Sequence, residues 1–285
     1  SHTRMRNNLL LVLATALLLV GCSTSGSDDP ADAEATYDAF SAPARVQING
    51  YDGDAMEPFL SRDGQFLFFN NRNDPSINTD LYVAERVDSL TFDFLGPVEG
   101  ANTPALEGVP TLDTSGTIYF VSTRTYDDTF STLYRGRFSE GSVSGVELVP
   151  GVSRLEPGIV NFDVEVSPDG STLYCVDARF GDDGPETANL VIARRTADGF
   201  ERASNTDAML RHINTGALEY AASISSDGQE MFFTRVQSIT SGDSPAIYRT
   251  SREETGVPLD PPQRVSDMDG FVEGPTFSPD DRAIF

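Results

Sequence analysis

The chain has 285 residues, with 20 basic against 44 acidic side chains and a formal net charge of −24 at pH 7. It has no lysine, so every basic side chain is an arginine, and it has no tryptophan. That balance excludes a nucleic-acid-binding surface of the usual kind, which needs a basic face. Hydrophobic residues make up 39%, enough for a core, and 17 Pro with 24 Gly imply many turns. The length suits one large all-β domain or two ordinary ones. An arginine-only, Asp-rich chain fits a protein working in high salt, where screening removes self-repulsion. It fits equally an ordinary acidic secreted protein from a GC-rich genome.

At the N-terminus, Met5 reads as the true start and residues 1–4 as a tag or misassigned start. Arg4 and Arg6 precede an apolar stretch over residues 9–20, LLLVLATALLLV. It is short for a bilayer span and of the right length for a secretory signal. Leu19-Val20-Gly21-Cys22 follows and resembles the lipobox of bacterial lipoprotein signals. The resemblance implies cleavage after residue 21 and lipid attachment at Cys22, with a membrane anchor through that lipid. Ser23 is not the Asp of an inner-membrane retention signal, which favours the outer membrane, facing the periplasm or the surface. Cleavage leaves 18 basic against 44 acidic residues, or −26. Cys175 is then unpaired, so no disulfide framework is expected.

Residues 22–43 are small, acidic and Pro-containing, and read as a lipidated flexible tether. Beyond them the chain repeats. SRDGQFLFFNNR, DTSGTIYFVSTR, SPDGSTLYCVDAR, SSDGQEMFFTR and SPDDRAIF share a turn followed by an apolar and aromatic run. Their anchors, Asp63, Ser115, Asp169, Asp227 and Asp280, lie 52, 54, 58 and 53 residues apart. A second strand recurs in DLYVAER, TLYRGRF, NLVIARR and AIYRTSR. A strand before the Asp-Gly turn and a fourth after the LY-type strand complete each unit. Repeats of about 50 residues with four strands have the size of a propeller blade. Only residues 205–213 could host a short helix.

SPDGSTLYCVDAR resembles the WD40-like PD40 repeat of TolB and related periplasmic propellers, and the resemblance covers residues 44–285. It implies an all-β propeller of four-stranded blades, five of them with the last one truncated, a sixth remaining open. Repeats two and five depart from the pattern, with Thr114-Ser115-Gly116 and Asp280-Asp281, which puts those turns in doubt. Because residues 44–53 resemble 263–270, Arg45–Ile48 is expected to supply the outer strand of the last blade.

Five acids sit near the inner strands: Glu57, Glu107, Asp163, Glu219 and Glu273, respectively 6, 8, 6, 8 and 7 residues before the anchors. They could line the channel and focus negative potential on a cationic ligand. Alternatively they pair with the strand-end arginines Arg72, Arg124, Arg179 and Arg235, whose repetition points to a structural role. Cys175, inside LYCV, reads as a buried small hydrophobe. No cofactor is expected. Acidic loops such as Asp52-Gly53-Asp54 and Asp182-Asp183-Gly184 would suit Ca²⁺, but none matches the twelve-residue calcium loop. The sequence carries no nucleophile elbow, zinc-protease motif or phosphate loop, and His212 is the one histidine after Met5. The reading is a non-enzymatic envelope lipoprotein that binds a protein, peptide or other ligand. The alternative is a surface protein that binds or cleaves glycans with channel carboxylates.

Overall fold

The computed structural model describes residues 35–41, 43–71, 78–181, 184–237, 242–266, 268, 270 and 272–285. The expected signal sequence, Cys22, the expected tether as far as residue 34, and Arg72 lie outside the described residues. No helix among those described is long and apolar enough to cross a membrane.

Two short strands come first, β1 (Thr36–Tyr37) and β2 (Gln47–Asn49). Unit one is β3 (Met56–Leu60), β4 (Phe66–Asn70), β5 (Leu81–Arg86) and β6 (Thr91–Pro97). Unit two is β7 (Glu107–Leu112), β8 (Thr117–Ser122), β9 (Leu133–Ser139) and β10 (Ser142–Leu148), with a helical turn α1 (Tyr126–Thr129) before β9. Unit three has a split inner strand, β11 (Ile159–Val160) and β12 (Val164–Val166), then β13 (Thr172–Phe180), β14 (Pro185–Arg195) and β15 (Phe200–Arg202). After α2 (Thr206–Met209), unit four is β16 (Leu218–Ile224), β17 (Glu230–Val236), β18 (Ala246–Ser251) and β19 (Gln263–Val265). A fifth unit opens with an antiparallel bridge between Phe277 and Ile284. Within units the strands pair antiparallel in sequence order.

The aromatic strands explain how the units stack. Successive side chains on a strand point to opposite faces. On β8, Ile118 and Phe120 enter a core with Phe59, Phe68 and Val83 of unit one. Tyr119 and Val121 enter the next core, with Val166, Leu173 and Cys175 of unit three. On β13, Tyr174 and Val176 enter a third core, with Met231 and Phe233 of unit four. Phe232 packs with Phe277 of unit five. Phe285 of unit five joins Leu67 and Phe69 of unit one, so unit five packs against both of its neighbours. Each apolar core lies between consecutive units, and the last of them returns to the first.

The turns keep one hydrogen-bond plan. In unit one, Ser61 Oγ donates to Asp63 Oδ1 at 2.6 Å and accepts from the Phe66 N–H at 2.9 Å. Gly64 N–H closes on Ser61 O at 2.7 Å, and Gly64 has φ +73°. The loop is thus wider than a two-residue hairpin, with glycine in the left-handed region that a side chain disfavours. In unit two Asp and Ser exchange places. Asp113 Oδ1 accepts from Ser115 Oγ at 2.6 Å and from Thr117 N–H at 2.9 Å. In unit five Asp281 takes the glycine position at φ +56°, and its carboxylate accepts the Ser226 N–H of the preceding turn at 3.0 Å.

Two sequence expectations are corrected. Gln47–Asn49 does not join the last unit: Gln47, Ile48 and Asn49 pair parallel with Thr91, Phe92 and Asp93 on the outer strand of unit one. The reason is local packing, because Val46, Ile48 and Tyr51 bury against Phe69 and Phe92. The outer strand of unit four instead receives β1, with Thr36 opposite Arg264. Tyr37 and Phe40 pack on Phe232, so these residues belong to the folded unit rather than to the tether expected over 22–43.

Phe120 is fully buried between units one and two. Phe120→Ala is expected to lower unfolding free energy by about 3–5 kcal/mol, read from urea denaturation.

Candidate functional site

The inner strands of units one, two and four are bulged at one equivalent place. Their ladders slip between Met56 and Phe59, between Gly108 and Thr111, and between Tyr220 and Ser223. Glu57, Val109 and Ala221 there have φ near +50°, and Gly274 of unit five has φ +67°. Such a conformation is unusual for residues with a Cβ, above all a β-branched one. Each of these residues stands six positions before its anchor, as does Asp163 in the split strand of unit three. Together with their neighbours all five line one axial cavity of ≈ 30 Å³. That holds about one or two waters and is too small for a peptide chain to thread. The bulge extends the inner strand by a residue and so turns a side chain toward the axis.

The five candidate acids separate by register. Glu57, Asp163 and Glu273, six or seven residues before their anchors, meet at the axis. Asp163 Oδ2 accepts the Ala221 N–H at 3.2 Å. Tyr220 Oη donates to Glu273 Oε2 at 2.8 Å. Glu57 and Glu273 also face a larger adjoining recess of ≈ 550 Å³, walled by Met56, Ile247, Met268 and Phe285.

Glu107 and Glu219, eight before their anchors, turn between units. Glu107 accepts from Thr103 N–H at 2.7 Å, Thr103 Oγ1 at 2.8 Å, Ser122 Oγ at 2.5 Å and Arg124 Nη2 at 3.2 Å. Glu219 repeats the arrangement with Thr215 and with Arg235 Nε at 3.0 Å. These two are structural and are corrected as channel candidates: each is already engaged by an arginine and by neighbouring donors. The sequence carried an unread signal for this. Asn-Thr-x-Ala-Leu-Glu occurs at 102–107 and again at 214–219. In both, the Asn side chain bridges the backbone of the preceding unit, at Leu81 and at Leu190.

The strand-end arginines divide likewise. Arg124 and Arg235 pair with Glu107 and Glu219, and stack over Tyr134 and Tyr248 at 4.7 Å. Arg179 is half exposed and lies 3.9 Å from Glu156. Unit three replaces the glutamate with Asn161, whose Nδ2 donates to Asp177 Oδ1 at 2.9 Å. Arg202 Nη2 in turn donates to Asp177 Oδ2 at 2.6 Å. Sequence reasoning also missed Arg86, Arg195 and Arg252, each of which donates to the carbonyl of a turn glycine. Cys175 is buried, as expected, and burial pushes its thiol up.

Below the acids the axis is closed. Arg62 of unit one reaches Glu165 of unit three at 3.1 Å and Val166 O at 2.6 Å, while Thr111 Oγ1 of unit two donates to Glu165 at 2.7 Å. Arg62 is thereby occupied. Among the described residues, none of Glu57, Asp163 and Glu273 pairs with a cation. Burial first, and then the Glu273 carboxylate, raise Glu57 to about 7, against hydrogen bonds from Asn70 and the Val109 N–H. Burial, then Glu57 and Glu273, raise Asp163 well above the usual carboxylate range. Burial raises Glu273, and burial followed by Glu273 itself raises Tyr220. Clustered carboxyls in a cleft whose pKa values are raised by burial and by one another make a functional-site candidate. Among the described residues no group of three or more ligating side chains gathers in a metal-binding arrangement, and Asp182, Asp183, Asp267 and Asp269 of the acidic loops lie outside them.

No protein-family model matches the chain, and no curated protein sequence matches it. Solved structures do. Zg3597, a family 117 glycoside hydrolase produced by the marine bacterium Zobellia galactanivorans, aligns over 82% of this chain and 76% of its own. The TM-score is 0.53 and the identity 11%. TolB from Acinetobacter baumannii aligns over 81% of this chain and 48% of its own, at TM-score 0.47 and 13% identity. An exo-β-1,3-galactanase from Phanerochaete chrysosporium covers 79% and 53%, at 0.48 and 12%. The fold is a β-propeller. This chain spans about half the length of the TolB protein. At such identities the likeness is one of architecture alone.

Two outcomes follow from the propeller's polar contacts. Arg235→Met strands the buried Glu219 carboxylate and is expected to cost about 3–5 kcal/mol in urea denaturation. For Glu57, the folded chain keeps the proton up to about pH 7, while the unfolded chain releases it from 4.5. The folded state therefore binds more protons across that window, and the Glu57 contribution to stability is lost as pH rises through it. Melting temperatures of wild type and Glu57→Gln should diverge with rising pH, the variant gaining relative to wild type.

Proposed function

We propose that this protein is an envelope lipoprotein whose propeller is a binding scaffold. It takes a ligand bearing a cationic group at the carboxylate-lined mouth of the axis. The observation that carries the reading is the convergence of Glu57, Asp163 and Glu273 from three separate units, joined by Tyr220 from a fourth, with no arginine among the described residues paired to them. An ammonium or guanidinium group placed there would favour the charged carboxylates and displace their protons. The adjoining recess, with Met56, Ile247, Met268 and Phe285 on its walls, suits an apolar body attached to that cation. The lipobox resemblance at Leu19–Cys22 supports the anchor and the envelope location. A basic segment of an envelope protein or peptide is the partner class with this chemistry.

Calorimetric titration with spermidine and with a short Lys- and Arg-containing apolar peptide tests the reading. Binding should release protons near pH 6.5 and weaken at least about tenfold in Glu273→Gln, as for loss of one close charge partner. Absence of heat with both probes, in buffer of low and of high salt, counts against it.

A second reading is favoured by one observation. Glu57 holds its proton near neutrality beside two further carboxyls, and a carboxyl protonated near neutrality is what general acid catalysis of glycoside cleavage uses. Incubation with a polysaccharide panel separates the two. New reducing ends, lost in Glu57→Gln, identify a glycan-cleaving enzyme; retention without cleavage identifies a glycan binder.

A further inference from the structure

An ion pair closes the axis beneath the acids, and it is nearly sealed from water. Side-chain exposure is 14% for Arg62 and 5% for Glu165. Arg62 comes from the turn after β3 in unit one. Its Nη2 donates to Glu165 Oε1 at 3.1 Å and to Val166 O at 2.6 Å, and its Nε donates to Leu112 O at 3.1 Å. The guanidinium also lies 5.0 Å from the Phe59 ring centre. Glu165 is on β12 of unit three. Besides Arg62 it accepts from Thr111 Oγ1 of unit two at 2.7 Å and from the Ile224 N–H of unit four at 3.5 Å. One carboxylate thus gathers donors from three other units. The pair also borders the candidate site. Asp163 and Glu165 are two residues apart on the inner strand, so their side chains leave it on one side. With Glu57, both line the ≈ 30 Å³ axial cavity.

We propose that Glu165 sets the sign of the charge that the axial mouth accepts: by cancelling Arg62 it keeps a buried cation from acting on Glu57 and Asp163, and so keeps the mouth receptive to a positively charged group. Charges this close and this far from water act on one another strongly. The groups around Glu57 and Asp163 are Asn70 of β4, the Val109 N–H of β7, the Tyr220 hydroxyl and Ala221 N–H of β16, and Glu273 of unit five. Those groups, and any further charge at the mouth, are common to wild type and to variants of the floor. A change in the charge of the floor therefore reads directly on the two acids. Glu57 keeps its proton up to about 7. An uncompensated Arg62, which cannot shed its proton, would favour the Glu57 carboxylate and lower that value, whereas an uncompensated Glu165 would raise it. The cationic ligand rests on the function proposed above; the charge role of Glu165 stands without it.

Carbon-detected NMR titration of the side-chain carboxyls in the whole chain, without ligand, tests it, with the Glu57 signal identified by its loss in Glu57→Gln. Relative to wild type, the Glu57 midpoint should fall by at least about one pH unit in Glu165→Gln and rise by a similar amount in Arg62→Met, as for one charge at close range in a low dielectric. The double variant Arg62→Met with Glu165→Gln, which removes both charges, should lie between the two singles. Loss of packing alone would move both singles the same way and the double variant furthest. In calorimetry at about pH 8, spermidine should bind at least about tenfold more weakly to Glu165→Gln than to wild type and recover in the double variant. Shifts of one sign in both singles, unchanged midpoints, or a double variant outside the range of the singles overturn the role of Glu165. Opposed shifts in a wild type and variants that bind no spermidine overturn the cationic ligand instead. Should Glu165→Gln fail to fold, the rise in Arg62→Met and its cancellation in the double variant decide, and absence of either overturns the proposal.

Discussion

Everything in this molecule depends on aromatic strands whose two faces belong to different cores. Tyr119 and Phe120 are neighbours in sequence, yet one buries against unit three and the other against unit one. The same division runs through Tyr174 and Cys175, and through Phe232 and Phe233. A unit of this kind cannot hide both faces alone, and a flat stack would leave two faces bare at its ends. Return of Phe285 to the core of unit one removes that difficulty. Connecting segments add to these cores: Leu106, Val149 and Val152 join the one between units two and three, and Leu210, Ile213 and Leu259 join the one between units three and four.

Stacking around an axis crowds the inner strands, and the crowding has electrostatic results. The bulge at Glu57, Val109 and Ala221 extends each inner strand where it approaches the axis. A carboxylate six or seven residues before the turn then faces the centre, whereas one eight before it faces the seam between units. The second kind meets an arginine and a threonine, and becomes part of the frame. The first kind meets other carboxylates, a tyrosine, the Asn70 side chain and backbone N–H groups. Three acids from three units come together with no cation paired to them among the described residues. This cost to the fold is concentrated at one end of the axis, above the Arg62–Glu165 floor, and it raises the affinity of the carboxylates for protons.

Much of the frame was legible from the chain alone. The S-x-D-G turns announce their own hydrogen bonds, and even the exchange of Asp113 and Ser115 preserves them. The site was legible only in part. The five acids were recognisable as a set, but not their division, because one residue of bulge reverses the direction of a side chain. The Asn-Thr-x-Ala-Leu-Glu pair at 102–107 and 214–219 would have marked Glu107 and Glu219 as structural. Tyr220, Arg62 and Glu165 lay hidden, because their partners come from units 50 to 100 residues away in sequence. The N-terminal strands were misassigned for a similar reason. The likeness of residues 44–53 to 263–270 is real in pattern, but the packing of Val46, Ile48 and Tyr51 on Phe69 decides the partner.

The sequence by itself determined the repeat, its strand order and its turn chemistry. These rest on alternation and on residues with special φ preferences, which act over a few positions. It also determined the strongly acidic balance of the chain. Tertiary structure alone decided which acids meet at the axis, which arginines are already occupied, where the N-terminal strands dock, and how narrow the channel is. Those features depend on distances between units, and a distance across a ring is set by the packing of all its members together.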